Sequence, residues 1–244
     1  FRVRKVLGSI LDILKDDAGK YSEKKTDRMK ILACMDSIPA QLASDKRRFQ
    51  YADIEKKTGG IEKYGYAVEW LINAGMAYRC YNLTSVDPPL PQNIKESMFK
   101  VYFCDTGLLM GFMDQTLPGE IITQDPFVNK GVIMENAVAA ALAKKGYALR
   151  YYAKTGSTLE VDFVIDLGYI ALLEVKSGQK KRSKSLNVLL GEKNRRRKGY
   201  KICDGNVSKD ENGAIHVPMY AVCFLQESRP ASIAPVDVKI PEFD

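Results

Sequence analysis

Leu159–Gly178 reads LEVDFVIDLGYIALLEVKSG, and its alternation decides the architecture of the chain's second half. Leu159, Val161, Phe163 and Ile165 alternate with Glu160, Asp162 and Val164, the period-two signature of a strand. Asp166-Leu167-Gly168 supplies turn chemistry, and a second strand follows it. On that strand Ile170, Leu172, Glu174 and Lys176 share one face, and Ala171, Leu173 and Val175 share the other. Folding the hairpin about Leu167-Gly168 brings Asp162 opposite Glu174, to within about one residue of register. Facing Cβ atoms in such a pair lie roughly 5 Å apart, and like charges there repel. Two carboxylates and a lysine on an otherwise apolar hairpin are costly unless a cation sits between them. The hairpin is therefore a candidate metal site.

Outward from the hairpin, 244 residues suffice to bury a real core and suit two small domains better than one. No apolar run approaches the ~18–20 residues of a membrane span, and no basic-then-apolar leader opens the chain. The first residue is Phe1 rather than Met, which points to a piece of a longer chain. Cys34, Cys80, Cys104, Cys203 and Cys223 form no C-x-x-C pair and read as reduced core residues of a cytoplasmic protein. With His216 as the only histidine, a His-pair zinc site or a Ser-His-Asp triad has almost nothing to build from. His216 itself lies in the alternating run Ile215–Leu225 and reads as a strand residue.

The net charge of +7 is concentrated. Lys180, Lys181, Arg182, Lys184, Lys193, Arg195, Arg196, Arg197 and Lys198 are opposed within their segment only by Glu192. Such a block either faces a polyanion, nucleic acid before others, or is a solvated helix face. Of these, Lys180, Lys181, Arg182, Lys184, Arg195, Arg196 and Arg197 are the candidate nucleic-acid contacts.

Residues 1–25 read as an amphipathic helix and connector, with Val6, Ile10, Ile13 and Leu14 at helical spacing. Thr26-Asp27 N-caps a helix, Met29–Ser37, that Pro39 is expected to end. A short helix, Ala52–Thr58, breaks at Gly59-Gly60, and a third, Ile61–Asn73, stops at Gly75. Two extended runs, Met76–Leu83 and Phe99–Phe103, flank the proline-rich loop Val86–Asn93, and Asp105–Gln115 looks like a short helix. Three helices and a two-stranded ribbon make a winged-helix plan for residues 26–115, a module that docks on either DNA or protein. Its third helix carries Lys63 but also Glu62 and Glu69, so it is not strongly basic.

Residues 116–130 are rich in loop formers and mark the boundary to a second domain, 116–226; residues 227–244 read as a tail. In GVIMENAVAAALAKK, residues 131–145, helical spacing puts Met134, Val138, Ala141 and Leu142 on a buried stripe. Glu135 falls close to Leu142 in azimuth, and an inward carboxylate needs a base, backbone donors or a metal. Tyr147–Ala153 is a strand, then comes the hairpin, then a helix around Leu186–Leu190, then strands at Tyr200–Cys203 and Ile215–Leu225.

This order, with Asp162 on one central strand and Glu174-Val175-Lys176 on the next, resembles the PD-(D/E)xK nuclease superfamily, whose core is α-β-β-β-α-β. Glu135 matches the carboxylate that the first helix often adds. The overall expectation is an α/β chain, α+β in sum: an N-terminal winged-helix module followed by a restriction-endonuclease-like core. Ile38-Pro39-Ala40-Gln41-Leu42, Phe99-Lys100-Val101-Tyr102, Asp105-Thr106-Gly107-Leu108-Leu109, Glu135-Asn136, Glu160-Val161-Asp162-Phe163 and Glu174-Val175-Lys176-Ser177-Gly178 are similar to the C-terminal half of prokaryotic AAA+-type ATPases, over roughly residues 5–225. In those proteins a P-loop domain precedes a winged helix and a nuclease-like domain of unknown function. No G-x-x-x-x-G-K-[ST] occurs here, and Lys154-Thr155-Gly156-Ser157 leads into a strand, so no ATP site is expected in this chain.

The resemblance implies that Asp162 and Glu174, with the Val175 carbonyl, hold Mg²⁺ or Mn²⁺, and that Glu135 acts directly or through water. Lys176 would position the attacking water or stabilise developing charge. Glu135, Asp162, Glu174 and Lys176 are thus the candidate catalytic set. Fold alone does not fix activity, and the alternatives are a catalytically silent nucleic-acid-binding or regulatory module, or a protein-interaction module. DNA, an ATPase domain outside the chain and a second copy are the partners considered.

Overall fold

The computed structural model describes residues 2–20, 25–44, 47–55, 59–113, 130–177, 183–191 and 196–226. The first half supplies α1 (Arg2–Lys20), α2 (Lys25–Ala43), α3 (Ile61–Asn73), β1 (Ala77–Leu83), β2 (Ile94–Phe103) and α4 (Thr106–Met113). The second half supplies α5 (Lys130–Lys144), β3 (Arg150–Ala153), β4 (Glu160–Val161), β5 (Phe163–Asp166), β6 (Ile170–Val175), α6 (Lys184–Gly191), β7 (Arg197–Cys203), β8 (Ser208–Lys209) and β9 (Ile215–Pro218). Together they form an α/β arrangement with two mixed sheets.

Hairpin register and turn follow the sequence reading. Phe163 pairs with Leu173 and Asp166 with Ile170 in an antiparallel ladder, so the next position outward sets Asp162 against Glu174. Gly168 takes φ 78°, the left-handed value such a turn requires, and its N–H donates to Asp166 Oδ1 at 2.9 Å. Both faces of the hairpin are covered. Phe163, Ile165, Ala171 and Leu173 belong to the large core, while Val164, Ile170 and Leu172 pack in a second cluster with Leu186 and Leu189 of α6.

The two sheets meet in one extended run, 160–166, that breaks at Asp162. Before the break β4 pairs with β3; after it β5 pairs with β6. Val161 and Val164, three positions apart, join the same apolar cluster, so strand parity inverts across Asp162. The first sheet runs β2-β1-β3-β4, with β1 parallel to β3, and the second runs β5-β6-β7-β9-β8. The ribbon of the first half is thereby hydrogen-bonded into the second half. Asn82 stitches this seam: its Oδ1 accepts from the Ala153 N–H at 2.8 Å.

Several elements depart from the sequence expectation. Helix α2 runs through Pro39 to Ala43, because Ile38 and Leu42 bury against α3 and that packing outweighs the one lost backbone bond. Ala52–Thr58 is replaced by a 3₁₀ turn at Tyr51–Asp53, with residues 56–58 outside the described set. β2 begins at Ile94 rather than Phe99. The run from Ile215 ends as a strand at Pro218 and continues as a 3₁₀ turn, Met219–Phe224. Cys223 is exposed and Cys104 half-buried, so only Cys34, Cys80 and Cys203 are core thiols. Met134 and Ala141 are half-buried, because α5 is covered by β2, β6, α4 and the 219–224 turn rather than along one stripe. The boundary segment falls largely on residues 114–129 and the tail on 227–244, both outside the described residues.

Candidate functional site

The break at Asp162 leaves a gap in the ladder that the side chain fills. Val175 N–H donates to Asp162 Oδ2 at 2.7 Å, standing in for a strand partner. Glu174, one residue earlier, pairs through Oε1 with Lys176 Nζ at 2.5 Å, the neighbouring position on the same face. Its Oε2 is buried and has no hydrogen-bond partner among the described residues. Asp162 and Glu174 open on a cleft of about 300 Å³, whose other walls include Arg47, Glu160, Lys176 and Ser185. Ser185, in the first turn of α6, fixes that wall by accepting from the Glu160 N–H at 3.2 Å.

Behind the cleft, α5 sends Glu135 inward, as its azimuth predicts, and only 2% of it is exposed. Both oxygens are engaged. Oε1 accepts from Lys100 Nζ at 3.0 Å and from Tyr102 OH at 2.5 Å, and Oε2 accepts from Arg47 Nη1. Lys100 and Tyr102 alternate on β2 and so reach the same side. Lys100, with no exposed surface, also lies 3.0 Å from Glu160 Oε1. The adjacent Asn136 clamps the end of β2: the Phe103 N–H donates to its Oδ1 at 2.9 Å, and its Nδ2 donates to the Phe103 carbonyl at 3.2 Å.

The electrostatics separate the two acids. Burial alone would raise the Glu135 carboxyl, but Lys100, Arg47 and Tyr102 outweigh it and hold the group below its ordinary value. At Asp162 burial and the neighbouring Glu135 and Glu174 push the carboxyl up to about 8, against weaker opposition from Lys100 and the Val175 N–H. Lys100 is held charged, because Glu135, Glu160 and Asp162 outweigh the cost of its burial.

Of the residues singled out from sequence, Asp162, Glu174 and Lys176 come together on the cleft, while Glu135 stands behind it and does not line it. Among the described residues no group of three or more His, Cys, Asp or Glu side chains is placed to share a metal ion. A two-carboxylate site fits the donors better. Glu174 Oε2, without a partner among the described residues, and Asp162, raised by burial and by the neighbouring Glu135 and Glu174, both suit a hard cation. Lys180, Lys181, Arg182 and Arg195 lie outside the described residues. Lys184 and Arg196 are exposed. The Arg197 guanidinium is turned inward, onto Asp87 at 2.6 Å and the Leu189 carbonyl at 3.1 Å.

Sequence reading missed Arg47, Lys100, Tyr102 and Glu160 as members of the site. Lys100 left a signal: a lysine between Phe99 and Val101 on an apolar strand must find an acid if that strand is buried. Arg47 left none. Among the described residues no helix is long and apolar enough to cross a membrane.

Residues 2–116 match a family described as a domain of unknown function, DUF8612, and residues 130–222 match another so described, DUF4143. No curated protein and no solved structure matches the chain.

Proposed function

We propose that the cleft is a phosphodiester-hydrolysing site of PD-(D/E)xK type, in a restriction-endonuclease-like core preceded by a winged-helix module. The observation that carries this reading is the buried Asp162–Glu174 pair, with its orphaned oxygen, beside Lys176 on a hairpin of the expected register. A Mg²⁺ or Mn²⁺ ion held by Asp162 and Glu174 would polarise the phosphate and lower the pKa of a bound water. Lys176, in contact with Glu174, would orient that water or offset the charge that develops on the phosphate. Asp162, ordinarily protonated near neutral pH by its surroundings, is the group that gives up a proton when the site fills. DNA is the substrate class that the +7 net charge favours. The free thiols suit a reducing, cytoplasmic setting, and the similarity of phrases points to an AAA+-type ATPase as the parent protein.

The test is nicking of supercoiled plasmid DNA in Mg²⁺ or Mn²⁺. Wild type should nick, and Glu174→Ala and Lys176→Ala should not. Folded wild type that leaves DNA intact across both metals and both single- and double-stranded forms ends the hydrolytic reading.

One observation favours a silent nucleic-acid-binding or regulatory module instead. Lys176 already meets Glu174, and Glu135 is satisfied by the protein's own cations. Under that reading DNA binds equally with and without metal, and binding weakens steeply as salt rises.

A further inference from the structure

We infer that Arg47, supplied by the first half of the chain, is the side chain that receives a backbone phosphate of DNA in the cleft. This rests on the phosphodiester reading and extends it to a residue that the second half, which carries Asp162 and Glu174, does not supply.

Among the described residues Lys100, Lys176 and Arg47 border the carboxylates, and of these Arg47 is the one positioned to meet an incoming anion. Lys100 has no exposed surface and is held 3.0 Å from each of Glu135 and Glu160. Lys176 is about a quarter exposed, but its ammonium sits 2.5 Å from Glu174. Arg47 has 36% of its side chain exposed, lines the cleft, and meets Glu135 through Nη1. A guanidinium carries five N–H donors in a planar fork that matches phosphate oxygens in pairs, which an ammonium does not. Lys100 and Tyr102 meet the other oxygen of Glu135, and the contact to Oε2 uses Nη1 of Arg47. The remaining N–H donors of the guanidinium can therefore reach a phosphate while Nη1 stays on Glu135.

Arg47 has φ 47°, a left-handed conformation that non-glycine residues seldom adopt, and its N–H donates to the Ser44 carbonyl at 3.1 Å and to Ser44 Oγ at 3.2 Å. Among the described residues Glu174 Oε2, on the same cleft, has no hydrogen-bond partner, which suits a cation accompanying the phosphate.

The test is fluorescence anisotropy of a fluorescein-labelled 20-base-pair DNA duplex, titrated in EDTA at increasing KCl. Removing one phosphate contact should lower the slope of log affinity against log salt by about one and weaken binding by about tenfold at low salt. Arg47→Ala should show both effects, and Arg47→Lys should keep the slope. An unchanged slope in folded Arg47→Ala, or no binding by wild type, overturns the inference. Should Arg47→Ala fail to fold, phenylglyoxal labelling of wild type decides. Peptide-resolved protection of Arg47 by the duplex supports the inference, and equal labelling with and without DNA overturns it. Plasmid nicking separates this from the hydrolytic reading. A slope change without nicking keeps Arg47 and removes hydrolysis, and nicking with an unchanged slope does the reverse.

Discussion

Lys100 Nζ lies 3.0 Å from Glu135 Oε1 with both side chains sealed from solvent, so one ion pair bolts β2 of the first half to α5 of the second. Removing one partner of such a pair leaves an uncompensated charge, which costs about 3–5 kcal/mol, more than the pair itself contributes over a neutral isostere. Lys100→Met should destabilise the protein by about that amount. Adding Glu135→Gln should cost less than the sum of the two single changes, because the second removes the charge the first stranded. Urea unfolding of the two singles and the double measures this; strict additivity would show the pair to be uncoupled.

The opposed shifts of Glu135 and Asp162 give metal-free protein a definite pH response. Glu135 is held below its ordinary value of 4.5, so it contributes stability above that value and loses it as pH falls through the folded-state pKa. Asp162, ordinarily near 3.8, is raised to about 8 when folded. Between those values the folded state holds a proton that the unfolded chain has released, so stability falls as pH rises. Thermal melts in EDTA should therefore show Tm declining from about pH 5 to about pH 8, and Asp162→Asn should remove the decline. A Tm that rises across this window in wild type would contradict the assignment.

What the sequence revealed here was local. The pairing of Phe163 with Leu173 and the left-handed Gly168 follow from alternation and turn chemistry within about ten residues. The inward Glu135 follows from helical azimuth alone. Its partners do not: Arg47 lies 88 positions away and Lys100 35, and no periodicity links them. The half-burial of Met134 likewise reflects what covers α5 on several sides, which its own spacing does not encode. Nor does alternation announce that the run 160–166 changes sheets at Asp162, since a one-residue inversion of parity looks like ordinary noise in a short strand.

Gly199 tests the packing that sets the α6 wall of the cleft. A Cβ there would stand 2.6 Å from Leu190 Cδ1 and 3.2 Å from Leu186 Cδ1, in a strand paired on both sides. Leucine tips yield to one methyl more readily than to a branched side chain. Gly199→Ala should thus be mild, and Gly199→Val should cost about 1–3 kcal/mol by overpacking. Chemical denaturation of both variants checks the ordering, and equal effects would show that α6 moves freely from β7.

Metal addition distinguishes two carboxylate ligands from three. A cation held by Asp162 and Glu174 alone should raise Tm in wild type and lose that effect in Asp162→Asn and in Glu174→Gln. At about a hundredfold excess over the dissociation constant the gain is about 2.7 kcal/mol. Glu135→Gln is the informative variant. Its carboxylate does not line the cleft, and both oxygens already accept from Arg47, Lys100 and Tyr102. The Mn²⁺-induced shift should therefore survive in Glu135→Gln, on a lower baseline Tm. Because Asp162 is raised to about 8, Mn²⁺ binding in weak buffer near pH 7 should also release a proton, seen with a pH indicator and absent in Asp162→Asn. A shift abolished by Glu135→Gln as completely as by Asp162→Asn would make Glu135 a ligand and require its cations to move aside.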